Sequence, residues 1–205
     1  YDAEGATGDD FRTVGGDYYK PTDADYEANC EEARALLAEA GYENGEGFPV
    51  VEYLYNTSDA HKAVAEALQY MWEEELGVKV TLNNQEWAAF LQTRKDGDYS
   101  IARNGWIADY NDPISFLDMW MTGGGNNDAQ YSNEEYDSLI KEAKTTTDVK
   151  ERMELLHKAE DKIIGEDNAL APLYFYTQKY MLADGIEGMY YCPLGYFFFG
   201  YTHQA

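Results

Sequence analysis

The residues best suited to chemistry lie between Arg103 and Pro113. Asp109 and Asp112 stand just ahead of a predicted helix start, and a carboxylate there has two uses. It accepts backbone N–H groups as a cap, or it offers a counter-charge to a cationic ligand. Trp106 is equally two-sided, since an indole buries a large area in a core or against a ligand. Gly105 in a strand pattern marks a bulge or a close approach by another backbone. The second reading would let an extended ligand pair with an open sheet edge. Residue type and spacing leave each of these alternatives open.

Motifs for covalent or phosphoryl chemistry are absent from the sequence. It has no G-x-x-x-x-G-K-[ST] loop, no G-x-S-x-G elbow and no H-E-x-x-H. The glycine run Gly123–Gly125 leads into Asn126, Asn127 and Asp128, which reads as a loop. His61, His157 and His203 are far apart in sequence, and His157 stands beside Lys158 on a helix face that reads as solvated. Carboxylates are so abundant that any two of them make an uninformative acid–base pair. Cys30 and Cys192 have no histidines at zinc spacing, so no metal or other cofactor is expected. Whether the two cysteines form a disulfide or stay as thiols is not readable from spacing.

The balance of 39 acidic against 15 basic residues gives a net charge of −24. Such a surface repels nucleic-acid phosphates and anionic lipid headgroups, which argues against either as a partner. With 44% hydrophobic residues in 205, the chain can bury a sizeable core as one large domain or two small ones. No apolar run approaches the roughly 20 residues of a membrane span. The sequence opens without Met in a Gly/Asp-rich stretch and shows no signal-peptide pattern, so it is expected to be a piece of a longer protein.

Periodicity supplies the elements that must position these residues. Residues 1–21 are loop-like, and a helix over 25–40 carries Ala33, Leu36, Leu37 and Ala40 at core spacing, with Gly41 as its stop. A strand follows at 50–55. A helix from Ser58 to Gly77 has Val64, Leu68, Met71 and Trp72 as its stripe. Alternation at 78–83 predicts a strand, 86–97 a short helix with Trp87, Phe90 and Leu91 on one face, and 99–106 another strand. This α-β-α-β-α-β order implies an α/β layer architecture. Beyond Pro113 come a short helix, two longer helices near 132–145 and 148–165, and strand-like segments at 171–176 and 179–184. No linker divides the chain. Seven aromatic residues between Tyr190 and Tyr201 make the end apolar enough to need a covering surface.

Several segments in one order carry a family resemblance. They are EEARALLAEAGY (31–42), LYNTSDAHKAVAEALQYMW (54–72), the stretch from Gly77 to Trp120, NNDAQYSNEEYDSLI (126–140) and APLYFY (171–176). The string NQEWxxFLxTRxxGxxxxARxGWxADYNxP at 84–113 is the most specific part. The chain resembles the carboxy-terminal lobe of oligopeptide-binding proteins, the family 5 extracytoplasmic solute-binding proteins of peptide ABC transporters. The resemblance implies a periplasmic-binding-protein type II-like lobe, with a mixed sheet flanked by helices and residues 1–205 as one domain. The entry at 1–24 is loop-like, and the tail at 185–205 contacts or crosses to an amino-terminal lobe not present here.

The same resemblance implies a receptor rather than an enzyme. It closes on an extended peptide and hands it to a membrane permease, outside the cytoplasm, periplasmic or lipid-anchored. Asp109 matches the carboxylate that holds the peptide α-ammonium. Gly105 and Trp106 match positions pairing with the peptide main chain, with Trp106 also walling a pocket. Arg103, Arg94 and His61 match positions that meet a carboxylate end or line pockets, Asn56 lies in the matching turn, and Tyr176 matches a tyrosine near the hinge. Each retains a plain structural reading: ion pairs for the arginines, an exposed first helical turn for His61. No lysine matches the one the family uses for longer peptides. The match fades after residue 180. A non-peptide solute and a carboxylate-based hydrolase are the alternative functions.

Overall fold

The computed structural model describes residues 23–176, 178–192 and 194–205, so residues 1–22 of the loop-like entry expected over 1–24 lie outside the described residues, while Asp23 and Ala24 already belong to a helix. The described chain groups into two compact units. The first holds residues 23–104 and 125–131, and the second holds 105–124 and the described part of 132–205.

The first unit is built on a parallel sheet. Its elements are α1 (Asp23–Glu39), β1 (Val51–Asn56), α2 (Asp59–Leu76), β2 (Val80–Gln85), α3 (Trp87–Asp96) and β3 (Ile101–Ala102). Strand order is β2-β1-β3, with Val51 opposite Val80 and Leu54 opposite Ala102. Tyr53, Leu54, Tyr55 and Asn56 are all buried, as a central parallel strand covered on both faces requires. Tyr53, Tyr55, Ala65, Val78 and Val80 form the core, with Leu37, Leu68 and Trp72 packed on it. α2 ends at Gly77, whose φ of +67° and close approach to the Asn44 carbonyl leave no room for a Cβ.

Three expectations change here. Leu36 is exposed while Leu37 packs inward, because neighbours on a helix point about 100° apart and only one can face the core. Trp87 and Leu91 are also exposed, and Phe90 alone of their predicted face is buried. The strand expected over 99–106 shortens to Ile101–Ala102. The Arg103 N–H still reaches the Leu54 carbonyl at 2.8 Å, and the chain then leaves the ladder. Arg94 Nη1 lies 3.5 Å from the Arg103 carbonyl, an acceptor that a continuing strand would use.

The second unit is mainly helical: α4 (Ile114–Leu117), a 3₁₀ turn at Asp118–Trp120, α5 (Glu134–Thr145) and α6 (Val149–Glu160), which runs on as a π turn at Asp161–Glu166. Asn133 caps α5 by accepting from the Glu135 and Tyr136 N–H groups, and Asp148 caps α6 by accepting from Glu151. α5 and α6 pack together through Tyr136, Ile140, Ala143, Leu155, Leu156 and Ala159. The Tyr136 hydroxyl, fully buried, donates to the Leu117 carbonyl at 2.6 Å.

The end of the chain departs from its expected pattern. Residues 171–176 and 179–184, expected as strand-like, form no ladder, and every described residue from Ala171 to Gly185 is exposed. A short apolar run marks what a strand can bury and does not supply the neighbouring strand. The aromatic tail, unassigned from sequence, forms two antiparallel pairs. β4 (Ile186–Glu187) pairs with β7 (His203–Gln204), and β5 (Tyr190–Cys192) pairs with β6 (Tyr196–Phe198). Cys30 and Cys192 are free thiols.

Candidate ligand-binding site

In the first unit, the parallel sheet brings three expected residues to one edge. Asn56 ends β1, Arg103 follows the end of β3, and His61 lies in the first turn of α2. The carboxyl edge of an open α/β sheet is where such folds take ligands. Arg103 Nη1 donates to Asn56 Oδ1 at 3.3 Å. His61 Nδ1 lies 3.3 Å from the Asn56 carbonyl. A carbonyl only accepts, so that contact places the neutral imidazole's proton on Nδ1 and leaves Nε2 to gain one. Burial first, then the Arg103 guanidinium, pushes the His61 pKa below its usual value, against the pull of the Asn56 carbonyl. One backbone turn thus orients both basic groups.

Arg94 belongs to the same unit but has different company. Its Nε donates to Asp128 Oδ2 at 2.7 Å, and its Nη1 donates to Asn104 Oδ1 at 2.9 Å. The guanidinium carbon lies 5.1 Å from the centre of the Phe90 ring, whose other neighbour is the Trp87 indole stacked at 5.8 Å. Tyr99 donates its hydroxyl to the Asp128 carbonyl at 2.7 Å, and burial, reinforced by the Asp128 charge, raises its pKa and keeps that proton in place. Asp128 was not singled out by sequence, because 34 residues separate it from Arg94 and nothing local marks the pairing.

In the second unit, the structure separates the two carboxylates that spacing left equivalent. Asp112 Oδ1 accepts from the Ile114 N–H at 2.9 Å and pairs with Arg152 at 2.8 Å. It does the capping. Asp109 is exposed, and its carboxylate makes no hydrogen bond or ion pair with another described residue. Its backbone is fixed instead, with the Asp109 N–H donating to Ser115 Oγ at 3.0 Å from a serine that is itself buried. Burial, then the charges of Asp118 and Asp112 and, more weakly, Asp109, keeps the neighbouring Tyr110 phenol protonated. Trp106 is half-buried, and its indole N–H is buried without an acceptor among the described residues. Gly105, beside it, is exposed just past the edge strand β3. Tyr176 is exposed in the extended segment and meets Tyr174 edge-on at 5.1 Å.

The first unit is thus an α/β layer on a parallel sheet, with Asn56, His61 and Arg103 at its carboxyl edge. The profile of the bacterial extracellular solute-binding proteins, family 5 (middle), matches residues 2–128. The chain belongs to that family. It is 39% identical over 191 residues to the dipeptide-binding protein DppE of Bacillus subtilis, covering 92% of this chain and 34% of that protein. It is 42% identical over 158 residues to the periplasmic oligopeptide-binding protein OppA of Salmonella typhimurium, covering 77% of this chain and 29% of the relative. Among solved structures, Haemophilus influenzae OppA in complex with RPPGFSPFR superposes with a TM-score of 0.73 at 35% identity, covering 83% of this chain and 33% of that one. The fold is therefore that of the type II periplasmic binding proteins. The chain spans about a third of the length of these relatives.

Proposed function

We propose that this chain is the carboxy-terminal ligand-binding part of the substrate-binding component of a peptide ABC importer. The observation that carries this reading is the Asp109 carboxylate, left exposed while Asp112, three residues on, takes both the cap and the ion pair. A peptide α-ammonium losing its water needs an opposite charge, or its desolvation costs several kcal/mol. Asp109, on a backbone fixed by Ser115, supplies that charge without first breaking a pairing of its own.

The remaining residues take complementary parts. Gly105 and Trp106 offer backbone groups to an extended peptide, and the Trp106 indole N–H offers a donor. Arg103, steadied by Asn56, meets a carboxylate with its planar fork, and His61 adds a second donor once protonated. Tyr176 contributes an exposed ring. Main-chain bonds and end charges give affinity, so many side chains are accepted. No bond of the peptide is broken. The rest of the protein supplies the opposite wall as an amino-terminal lobe, works outside the cytoplasm and delivers the closed complex to a membrane permease.

Native mass spectrometry of the two-lobe protein purified from cells tests this. Co-purifying peptides of mixed sequence are the expected result. A sugar, a metal complex or another non-peptide solute in their place would overturn the peptide reading, and a single hydrolysed product would favour an enzyme.

A further inference from the structure

We propose that Arg94 is a positioning residue that clamps the exit of β3, with its charge cancelled by Asp128, and does not itself grip the ligand's carboxylate. The proposal rests on the peptide-binding reading and refines it. Arg94 uses two edges of one guanidinium, Nε for Asp128 and Nη1 for Asn104, with the Arg103 carbonyl also 3.5 Å from Nη1. The second partner, Asn104, is the residue immediately before Gly105. The Arg94 and Asp128 side chains are only 13% and 16% exposed, so the pair is screened little by water and each charge answers the other. Phe90, fully buried, holds the guanidinium plane from beneath.

Asp128 is itself tied down. Tyr99 donates to its carbonyl, and Asn127 closes the loop by exchanging two hydrogen bonds with the backbone of Tyr131. The clamp therefore has a rigid far side. Arg103, one residue from Asn104, makes a different contact: its Nη1 donates to the neutral Asn56 amide oxygen at 3.3 Å. The two arginines, equivalent by residue type, divide the work. Arg103 is the arginine that the proposed site assigns to a ligand carboxylate, and Arg94 sets where the chain leaves the sheet.

The test uses the two-lobe protein and four variants: Arg94→Gln, Arg94→Lys, Asp128→Asn and Asn104→Ala. Affinities are measured by calorimetry for one tripeptide with a free carboxyl terminus and the same tripeptide amidated. Amide hydrogen exchange at residues 103–106 is followed without ligand. Arg94→Gln and Asp128→Asn are each expected to weaken both peptides alike, by about tenfold, as loss of a charged hydrogen bond implies. They should also speed exchange at 103–106. Arg94→Lys keeps a charge on Asp128 but cannot span both partners, so it should preserve the melting temperature and still lose affinity. Asn104→Ala should do the same, a split that a merely stabilising ion pair would not produce.

A loss confined to the free carboxylate, or a tighter grip on it after Asp128→Asn, would overturn the proposal in favour of direct contact. Unchanged affinity and exchange in all four variants would also overturn it. Wild-type protein that binds neither peptide would defeat the peptide-binding reading instead. The clamp would then stand or fall on whether Arg94→Gln speeds exchange at 103–106.

Discussion

Asp109 and Asp112 are the same residue type three positions apart, and their surroundings give them different work. Asp112 serves Ile114 and Arg152, whereas Asp109 has only its backbone engaged. Asp109→Asn is therefore expected to weaken peptides with a free amino terminus by at least about thirtyfold, the lower end for losing one partner of a desolvated charge pair. Its effect on thermal stability should be small. His61 makes a second prediction. Its pKa in the unliganded fold lies below the usual 6.5, so the unfolded chain takes up a proton first as pH falls. Stability from this group is present above pH 6.5 and declines as pH drops below that value. A bound carboxylate reverses the shift, because it favours imidazolium. Binding should then take up a proton, and affinity for a free-carboxylate peptide should rise as pH falls from 7 towards 5, a span that brackets the ordinary histidine range. Calorimetry in buffers of different ionisation enthalpy measures that uptake, and its absence with His61→Asn assigns it. The residue scale was the least legible in sequence. Spacing offered two uses for each aspartate, the family resemblance and plain ion pairing offered two for each arginine, and long-range partners such as Arg152 and Asp128 are not visible in either.

At the scale of elements, strong periodicity translated well. α2, β1 and β2 form close to their expected places, because amphipathic spacing and alternation state which face is apolar. Elements that depend on a distant partner did not. β3 shrinks where Arg94 approaches the Arg103 carbonyl, and 171–176 and 179–184 form no ladder despite their apolar, strand-like composition. The short β4–β7 and β5–β6 pairs have too few residues to show a pattern. The buried parts carry testable stability. Leu54 is fully buried at the centre of β1, and Leu54→Ala should cost about 2–5 kcal/mol in denaturant unfolding. Tyr136→Phe strands the Leu117 carbonyl in the second unit and should cost about 1–3 kcal/mol, with little change in volume. A loss below a few tenths for either would show that these contacts do not hold their elements.

For the whole molecule, charge and length set the expectations. The net charge of −24 makes self-repulsion a general destabilising term. Raising salt to ~0.3 M should lift the melting temperature by screening it. The α/β class was legible from element order, and the family from the 84–113 string, yet the division into interleaved units was not, since residues 125–131 join the first unit without any linker composition. With about a third of the relatives' length present, the 205-residue chain alone is expected to fold but to bind peptide weakly or not at all. In the proposed site Asp109 receives a peptide ammonium. Calorimetry on the two-lobe protein, comparing one tripeptide with its N-acetylated form in wild type and Asp109→Asn, tests it most directly. Tight binding is expected only for the free tripeptide in wild type, with acetylation abolishing the difference between the two proteins and the substitution abolishing the difference between the two peptides. Equal binding of both peptides to wild type, or undiminished binding of the free tripeptide to Asp109→Asn, would contradict it.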